Sequence, residues 1–360
     1  MTRIRGADAE TVRRALDADD PLPGTTGFAG VLDGLLVRDV LGRQPVFGTP
    51  GDWGFAPDDV TGEPRPVPAG HVRDTDGADR RVWSLPDPPV EDEDAAAVDA
   101  VRRAIDDALT ALDDDDGLAV AFSGGVDSAL VAAGVPDAPC YVVGFPDAHD
   151  VAAARDAAAA MDRELRVLEL THADLERAVP DVVAATGRTN AMDVCIALPL
   201  YLVAERVAAD GYDRLALGQG ADELFGGYAK VVDPADDDRV DATTVRGATR
   251  EVIGSLPDQL ERDVLTLRAA GVEPVVPLLA DGVVEAALPL PDHLLATGDE
   301  RKVALRRAAR DWLPGSVVAM DKKAVQYGSL VSRELDRLAR QAGFKRRMDR
   351  HVDQYVESLL

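Results

Sequence analysis

Residues 123–128, with the sequence SGGVDS, follow the apolar stretch LAVAF and lead into the alanine-rich ALVAAG. Glycines permit backbone conformations that other residues resist. The N–H groups of such a turn, with those of the helix that follows, can point at an anion. The segment therefore predicts a phosphate-binding loop between a strand and a helix. Six residues are expected to contact the phosphates: Ser123, Gly124, Gly125, Val126, Asp127 and Ser128.

The acidic residue in this loop indicates a metal ion. A Walker A loop would place a lysine before its serine or threonine, whereas Asp127 precedes Ser128 here. A carboxylate repels phosphate unless a cation lies between them, and Mg²⁺ binds one or two carboxylates together with phosphate oxygens. A plain tight turn, with Asp127 and Ser128 capping the helix, stays open as the alternative.

A second motif, LALGQGADELFGGYAK, covers residues 215–230 and also follows an apolar run. Gly218 and Gly220 leave room for a close approach of the backbone, and we expect both to contribute to nucleotide binding. Asp222 offers a second carboxylate. Both motifs follow apolar runs that have the length of buried strands, and in open parallel sheets ligands bind at the carboxyl ends of the strands. Asp127 and Asp222 are therefore predicted to share Mg²⁺. The alternative is a glycine-rich loop with solvated acids.

The elements around these motifs predict an α/β fold. Four short apolar runs, LAVAF, YVVGF, LRVLEL and DRLALG, are separated by stretches of helical spacing such as AAAVDAVRRAIDDALTAL. Strands that alternate with helices indicate a parallel sheet covered by helices. Residues from about 250 onward are expected to be mostly helical.

The N-terminal part differs in composition. Residues 1–90 are rich in Gly, Pro and β-type residues and predict a small β-rich domain, with strands in GLLVRDVLGRQPVFG. The proline-rich and acidic SLPDPPVEDED is typical of a linker. We therefore expect domains at 1–90 and 91–345 and a C-terminal tail at 346–360.

The net charge is −26, with 65 acidic and 39 basic residues. We interpret this charge as a solvation device suited to a salty cytoplasm, with an acidic partner-binding surface as the alternative. It argues against nucleic acid as a partner, because phosphate needs a basic face. No long apolar run and no signal-peptide core occur, so we expect no membrane partner and a cytoplasmic location. Neither the two cysteines nor the histidines have metal-ligand spacing.

Beyond these patterns, the motifs resemble the asparagine synthetase family. GQGADELFGGY is similar to its GEGADELFGGY signature, and SGGVDS resembles the PP-loop of ATP pyrophosphatases, which have an adenine nucleotide alpha hydrolase-like fold. CYVVGF resembles the strand whose backbone holds adenine, which here assigns Val143 and Gly144 to the nucleotide. NAMDVCIALPLYLVAE resembles the helix lining the acyl pocket. The resemblance covers residues 91–330 and implies ATP and Mg²⁺ as cofactors.

The resemblance also implies catalytic residues, and several positions depart from it. Lys322 matches a phosphate-contacting lysine, and Glu273 matches the glutamate of GVExRxPFLD. Gln219 replaces the glutamate of GEGADE and can orient a substrate but cannot act as a base. The sequence has Val275 and Met320 where the family has arginines, and Ala280 followed by Asp281 where it has aspartate. The nucleotide half of the site matches the family and the acceptor half is altered.

The N-terminal part resembles the glutaminase domain of the same family, in VRDVLGRQPVFG and PAGHV. The family's nucleophilic cysteine is replaced by Thr2, and no cysteine precedes Cys140. Because attack on glutamine needs a thiolate, no glutaminase is expected in this chain. Ammonia would come from solution or from a separate ammonia-supplying protein. A homodimer stays open.

The resemblance implies a ligase that adenylates a carboxylate, with aspartate first, releases pyrophosphate and transfers ammonia or an amine. Two other classes stay open. One is an adenylating ligase or amidotransferase acting on another metabolite, a peptide or a tRNA base. The other is a non-catalytic ATP-binding regulator, which the glutamine at position 219 suggests.

Overall fold

The computed structural model describes residues 2–112, 117–320 and 325–360. The chain folds as two compact units that each combine separate chain segments. The first unit consists of Met1–Leu112, Gly218–Glu261 and Val276–Asp311. The second unit consists of Asp113–Leu217, Arg262–Val275 and Trp312–Leu360. The boundaries expected near residues 90 and 345 stay predictions about sequence domains.

Within the described residues, the strands are β1 (Arg3–Arg5), β2 (Ala29–Leu32), β3 (Leu35–Arg38), β4 (Phe47–Thr49), β5 (Asp52–Gly54), β6 (Arg65–Pro66), β7 (His71–Arg73), β8 (Asp79–Arg81), β9 (Leu118–Ala121), β10 (Cys140–Gly144), β11 (Leu165–Glu169), β12 (Arg214–Ala216) and β13 (Glu273–Val275). The helices are α1 (Ala9–Asp17), α2 (Asp94–Thr110), α3 (Val126–Gly134), α4 (His149–Ala160), α5 (His172–Thr186), α6 (Ala191–Ala209), α7 (Ala221–Leu224), α8 (Val245–Ile253), α9 (Leu256–Ala269), α10 (Asp281–Ala287), α11 (Asp292–Leu295), α12 (Val303–Ala308), α13 (Gly315–Val318), α14 (Val325–Gly328), α15 (Val331–Gln341) and α16 (His351–Glu357).

The N-terminal part of the first unit is β-rich, as predicted. Its strands form two antiparallel sheets with the orders β1-β2-β3-β7-β8 and β5-β4-β6. Phe28, Val37 and Trp83 lie in a core that is covered by α1 through Val12. The helix expected from residue 95 onward is α2, which packs against α10 and α12 in the same unit.

The second unit contains the parallel sheet, with the strand order β11-β10-β9-β12-β13. The α/β prediction is therefore confirmed, and the four apolar runs become β9 to β12. The central strands β9 and β10 are almost fully buried, as strands covered on both faces must be. Helices α3, α4 and α6 pack against them.

One strand of this sheet was not predicted from the sequence. Beyond residue 250 the described residues are mostly helical, as expected from the sequence, but they also include β13, which pairs with β12 at the edge of the sheet. Its three residues include Pro274. Proline cannot donate a hydrogen bond to a neighbouring strand and is confined to edge strands, so the local sequence argued against a strand.

The C-terminal residues form a helix, α16, which places Tyr355 and Val356 in buried positions. The carboxylate of Asp353 accepts a hydrogen bond from the backbone N–H of Ala191, at the start of α6, at 2.9 Å. Among the residues described here, no helix combines the length and the apolar character that crossing a membrane requires.

Candidate active site

The SGGVDS loop leaves the sheet where its topology reverses. The chain runs from β9 outward through β10 to β11, and then returns to β12 on the other side of β9. In open parallel sheets, ligands bind outside the carboxyl ends of the strands at such a switch point. Phe122 separates the last residue of β9 from the loop, and α3 begins within the loop at Val126. The fold therefore places the predicted phosphate loop at the expected position.

Hydrogen bonds within the loop fix its shape. The Ser123 N–H donates to Ser128 Oγ at 3.2 Å, and the Ser128 hydroxyl donates to the carbonyl oxygen of Gly125 at 3.2 Å. Ser128 is almost fully buried. Its hydroxyl therefore ties the start of α3 to the end of β9, so at least one of the two serine hydroxyls predicted to bind phosphate also serves the loop's own structure.

Gly124 is required by the conformation and by the packing of the loop. Its φ is +79°, in the left-handed region that favours glycine. A Cβ atom at this position would lie 2.4 Å from the carbonyl oxygen of Ala153 in α4. The loop backbone thus lies directly on α4, and any side chain here would displace it.

Asp127 lies in the first turn of α3 and is 1% exposed. A carboxylate is favoured there by the helix dipole. The described residues contain no group of three or more His, Cys, Asp or Glu side chains that could hold a metal ion by themselves. Mg²⁺ bound through one or two carboxylates and completed by phosphate oxygens needs no such group. The carboxylate beside the Gly124 turn therefore fits the ion that the sequence predicts.

The end of β10 is where the sequence predicts adenine to bind. The last paired residues of β9 and β10 are Ala121 and Tyr141, and the Phe122 N–H donates to the Tyr141 carbonyl at 2.7 Å. The Gly144 carbonyl accepts from Leu170 at 2.9 Å on the opposite side, towards β11. Because polar groups alternate in direction along a strand, Val143 presents its N–H and C=O beyond the end of β9.

Gly144 is a packing position as well. A Cβ atom there would lie 2.9 Å from Ala148 Cβ and 3.0 Å from Val151 Cγ2. The Phe145 N–H donates to the carbonyl oxygen of Ser329 at 3.1 Å. The segment just after α14 therefore lies against the end of β10.

The second motif begins the next segment of the first unit. Gly218 and Gln219 are half-buried, and Gly220 is buried with a φ of +92°. A Cβ atom at Gly220 would lie 2.4 Å from Leu279 Cγ. Gly220 therefore lets the Leu279 side chain pack against the motif backbone, which is a structural reason for this glycine.

Asp222 forms an ion pair with a lysine from a distant part of the sequence. Lys302 Nζ lies 2.6 Å from Asp222 Oδ1, and Lys302 is buried. From the sequence, Lys302 and Arg301 are expected to lie on a helix, with a basic surface stripe as the alternative to a functional role, and no motif assigns Lys302 a partner. Lys302 is thus a buried cation that contacts the carboxylate of a predicted metal ligand.

Glu223 is the buried neighbour of Asp222. The hydroxyl of Tyr228 donates to Glu223 Oε1 at 2.6 Å. Burial raises the pKa of Glu223 above its usual range, and the nearby charge of Asp222 adds to the increase. The motif thus combines an ion-paired aspartate with a glutamate whose ionised form is disfavoured.

Glu273 does not lie where the sequence places it. As the first residue of β13 it is level with Arg214, which is level with Leu118 at the start of β9. It therefore lies at the amino end of the parallel strands, whereas the loop at Ser123 follows their carboxyl ends. Its carboxylate accepts a hydrogen bond from Arg268 Nε at 3.0 Å. The catalytic role of Glu273 therefore stays a prediction that rests on the motif match alone.

Two further positions complete the comparison with the sequence. Lys322 lies outside the described residues. Asp281, which follows the altered Ala280, is fully buried and pairs with Arg43 Nη1 at 2.7 Å. The Thr25 N–H also donates to Asp281 Oδ2 at 2.7 Å. Asp281 thus serves the interior of the first unit.

Both cysteines are buried in the second unit. Burial raises the pKa of the Cys140 thiol to about 11 and that of Cys195 to about 12. Because the thiolate is the reactive form, neither side chain is suited to nucleophilic attack at neutral pH.

Sequence comparison shows the family. A family model described as "Asparagine synthase" matches residues 100–246 and 239–357, so the chain belongs to the asparagine synthase family. A protein of Methanocaldococcus jannaschii that carries the name of a glutamine-hydrolysing asparagine synthetase is 29% identical over 275 residues, covering 66% of this chain and 50% of the relative. Asparagine synthetase B of Escherichia coli is 24% identical over 249 residues, covering 63% and 44%.

The chain therefore spans about half the length of the curated relatives it matches. Members of this family use ATP, and the switch-point loop lies where an α/β protein binds a nucleotide.

Proposed function

We propose that this chain is an ATP-dependent carboxylate–amine ligase of the asparagine synthase type. It adenylates a carboxylate, with aspartate the first candidate, and then transfers ammonia or an amine. The observation that carries the proposal is the SGGVDS loop at the switch point of the parallel sheet, with Gly124 in a left-handed conformation and Asp127 buried beside it. Family membership supports the same reaction class.

The proposed first step joins two substrates. A carboxylate oxygen of the acceptor attacks the α-phosphorus of ATP, and the bond to the bridging oxygen of pyrophosphate breaks. Backbone N–H groups from Gly124 to Val126 bind the phosphates, and Val143 orients adenine through its backbone. Lys322 is proposed, from the family resemblance, to neutralise charge on the departing pyrophosphate. This work is mostly positioning and charge stabilisation.

Metal binding is part of the proposal. When bound, Mg²⁺ would neutralise negative charge on the phosphates. Asp127 and Asp222 are each proposed as a carboxylate ligand of Mg²⁺, since carboxylate oxygens are ligands that this ion prefers.

In the proposed second step, ammonia attacks the carbonyl carbon of the acyl-adenylate, and AMP leaves with the electrons of the broken C–O bond. We propose that free ammonia is the nitrogen donor for this chain. The raised pKa values of about 11 and about 12 for its two buried thiols support this choice, because glutamine hydrolysis needs a thiolate. A separate ammonia-supplying protein is the alternative source.

A second candidate is a ligase of the same chemistry acting on a different carboxylate. The observation that favours it is the altered acceptor half, with Gln219 and Val275 where the family has charged residues. An amide can hydrogen-bond to a substrate but cannot accept its proton at neutral pH. A change of acceptor explains both replacements without loss of the nucleotide half.

The test is pyrophosphate release from Mg-ATP in molar KCl. Reactions contain aspartate alone, aspartate with ammonia, aspartate with glutamine, or no acceptor, and asparagine and AMP are measured alongside pyrophosphate. Asp127→Asn removes the buried carboxylate and is expected to abolish release. Asp156→Asn is the matched control, because Asp156 is an exposed residue on α4 in the same unit.

Release that requires aspartate and yields asparagine only with ammonia supports the proposal. Equal activity with glutamine contradicts the choice of ammonia. If the chain binds ATP but aspartate gives no release, the second candidate replaces the first, and other carboxylates are then screened. If ATP binds and no carboxylate is adenylated, the chain is a nucleotide-binding regulator.

A further inference from the structure

Two features of Lys302, its burial and its backbone conformation, each carry a cost in folding free energy. Its side chain is buried, with the residue 6% exposed, and its backbone has φ 59° and ψ 41°, in the left-handed region. A buried ammonium group is strongly disfavoured unless it is paired, and a residue other than glycine adopts this backbone conformation at a cost. Such a residue persists only when its surroundings require it.

The partner that stabilises Lys302 is Asp222. The Nζ to Oδ1 distance is 2.6 Å, short enough for a charge-assisted hydrogen bond. Asp222 itself is held at its backbone, because the Gly227 N–H donates to the Asp222 carbonyl oxygen at 2.8 Å. The side chain and the backbone of Asp222 are therefore both held by contacts within the first unit.

The backbone of Gly227 packs directly against this ion pair. A Cβ atom at Gly227 would lie 2.0 Å from Asp222 Oδ1 and 2.4 Å from Lys302 Cε. The Gly227 carbonyl accepts a hydrogen bond from Arg301 Nη1 at 2.8 Å, which prevents the backbone from moving away. Only glycine fits here, and the reason is the ion pair beneath it.

We propose that Lys302 is a positioning residue that holds the Asp222 carboxylate in one orientation for the metal–nucleotide complex. This inference rests on the proposed function, in which Asp222 is a ligand of Mg²⁺. Groups that fix a metal-binding carboxylate from behind typically contribute 10–100-fold to metal affinity. Gly227 of the second motif then has a stated purpose, because the absence of a side chain there makes room for Lys302.

The experiment measures metal binding without turnover. Mn²⁺ is titrated into the full-length chain in molar KCl with a non-hydrolysable ATP analogue, and free Mn²⁺ is measured by electron paramagnetic resonance. Affinity for the analogue without metal is measured by calorimetry. Lys302→Met and Gly227→Ala are each expected to weaken Mn²⁺ binding by ~10-fold or more and to leave metal-free analogue binding unchanged.

Lys345→Met is the matched control, because Lys345 is exposed and donates to the Arg340 carbonyl oxygen. Thermal melting checks that each variant folds. If Lys302→Met does not fold, Lys302→Gln is measured in its place, since it keeps a hydrogen-bond donor and loses only the charge.

Unchanged or tighter Mn²⁺ binding in a folded Lys302 variant overturns the inference, as does a wild-type chain that binds no Mn²⁺ with the analogue. Loss of metal binding in the variants, with a wild type that adenylates no carboxylate, supports the role of Lys302 while the proposed reaction fails. The two proposals are thus separable.

Discussion

Arg43 and Asp281 form an ion pair of 2.7 Å in which both side chains are completely buried. Arg43 Nε lies 2.8 Å from Asp39 Oδ1 in the same cluster. Asp39 also accepts the backbone N–H of Arg43 at 2.9 Å and that of Leu41 at 3.0 Å. The RDVLGR segment, which in sequence resembles part of a glutaminase, is thus an interior ion cluster of the first unit.

Replacing Arg43 with methionine should destabilise the first unit strongly. The change leaves two carboxylates buried without their cation, and breaking a buried pair in this way costs ~3–5 kcal/mol. The urea midpoint in molar KCl measures the change. Arg13→Met is the control, because its pair with Asp33 is about half exposed on both sides, and such pairs contribute ~0–1 kcal/mol. Equal midpoints for the two variants would contradict the role of Arg43.

Gly124→Ala should impair both folding of the loop and nucleotide binding. A left-handed backbone costs a residue with a Cβ about 1–2 kcal/mol, and the Cβ would also lie 2.4 Å from Ala153 oxygen. Calorimetry with an ATP analogue and thermal melting measure the two effects. Gly315→Ala is the matched control, since Gly315 begins α13 and a Cβ there meets no atom within 4 Å. An analogue affinity equal to that of the control variant would show that the loop does not bind the nucleotide.

The contribution of Asp336 to the stability of the C-terminal helices should be lost only in strong acid. Hydrogen bonds from Arg346 and His351 and the charge of Arg340 hold the pKa of Asp336 well below its usual range. A lowered pKa in the folded state gives a contribution that is complete above the unfolded value of about 3.9 and is lost as pH falls through the folded value. Asp336→Asn should therefore lower the urea midpoint by a constant amount from pH 5 upward, and the difference should shrink only below about pH 4. A difference that already shrinks between pH 7 and 5 would contradict the lowered pKa of Asp336.

Both thiols should be almost unreactive in the native chain. Raised pKa values of about 11 for Cys140 and about 12 for Cys195 leave little thiolate at pH 8, and both side chains are buried. We expect a disulfide reagent such as dithionitrobenzoate to react slowly with the folded chain and rapidly with both thiols in denaturant. Rapid reaction of one thiol in the native state would contradict this and would restore that cysteine as a candidate nucleophile.

Local patterns were sufficient for the centre of the second unit. The runs that became β9 and β10 are short, apolar and bounded by turn residues, and the strand–loop–helix order around Gly124 follows from composition alone. The edge strand β13 escaped this reasoning because Pro274 is tolerated only where no neighbouring strand needs its N–H. Its partner β12 is distant in the chain, so no local sequence pattern predicts that the two strands pair.

The residues of the candidate site also differ in how well the sequence alone could point to them. Asp127 was predictable because its loop is contiguous in sequence. Lys302 was not, because its role depends on a contact with Asp222 across a long stretch of chain. Glu273 shows the opposite case: a motif match suggested chemistry, and the strand register places the residue at the amino end of the parallel strands, beside Arg268.

The first unit is assembled from three separate stretches of chain, and this sets when it can form during synthesis. Thr25 and Asp281, which are hydrogen-bonded in its interior, are 256 residues apart. At the usual pace of translation, roughly 13–50 s pass between the appearance of the two residues at the ribosome. Until Asp281 has been synthesised, Arg43 lacks one of its two buried anionic partners. The ion cluster inside the nascent N-terminal segment is therefore incomplete during that interval. A ribosome-bound N-terminal portion of this chain should therefore be a substrate for chaperones until the segment containing Asp281 has emerged.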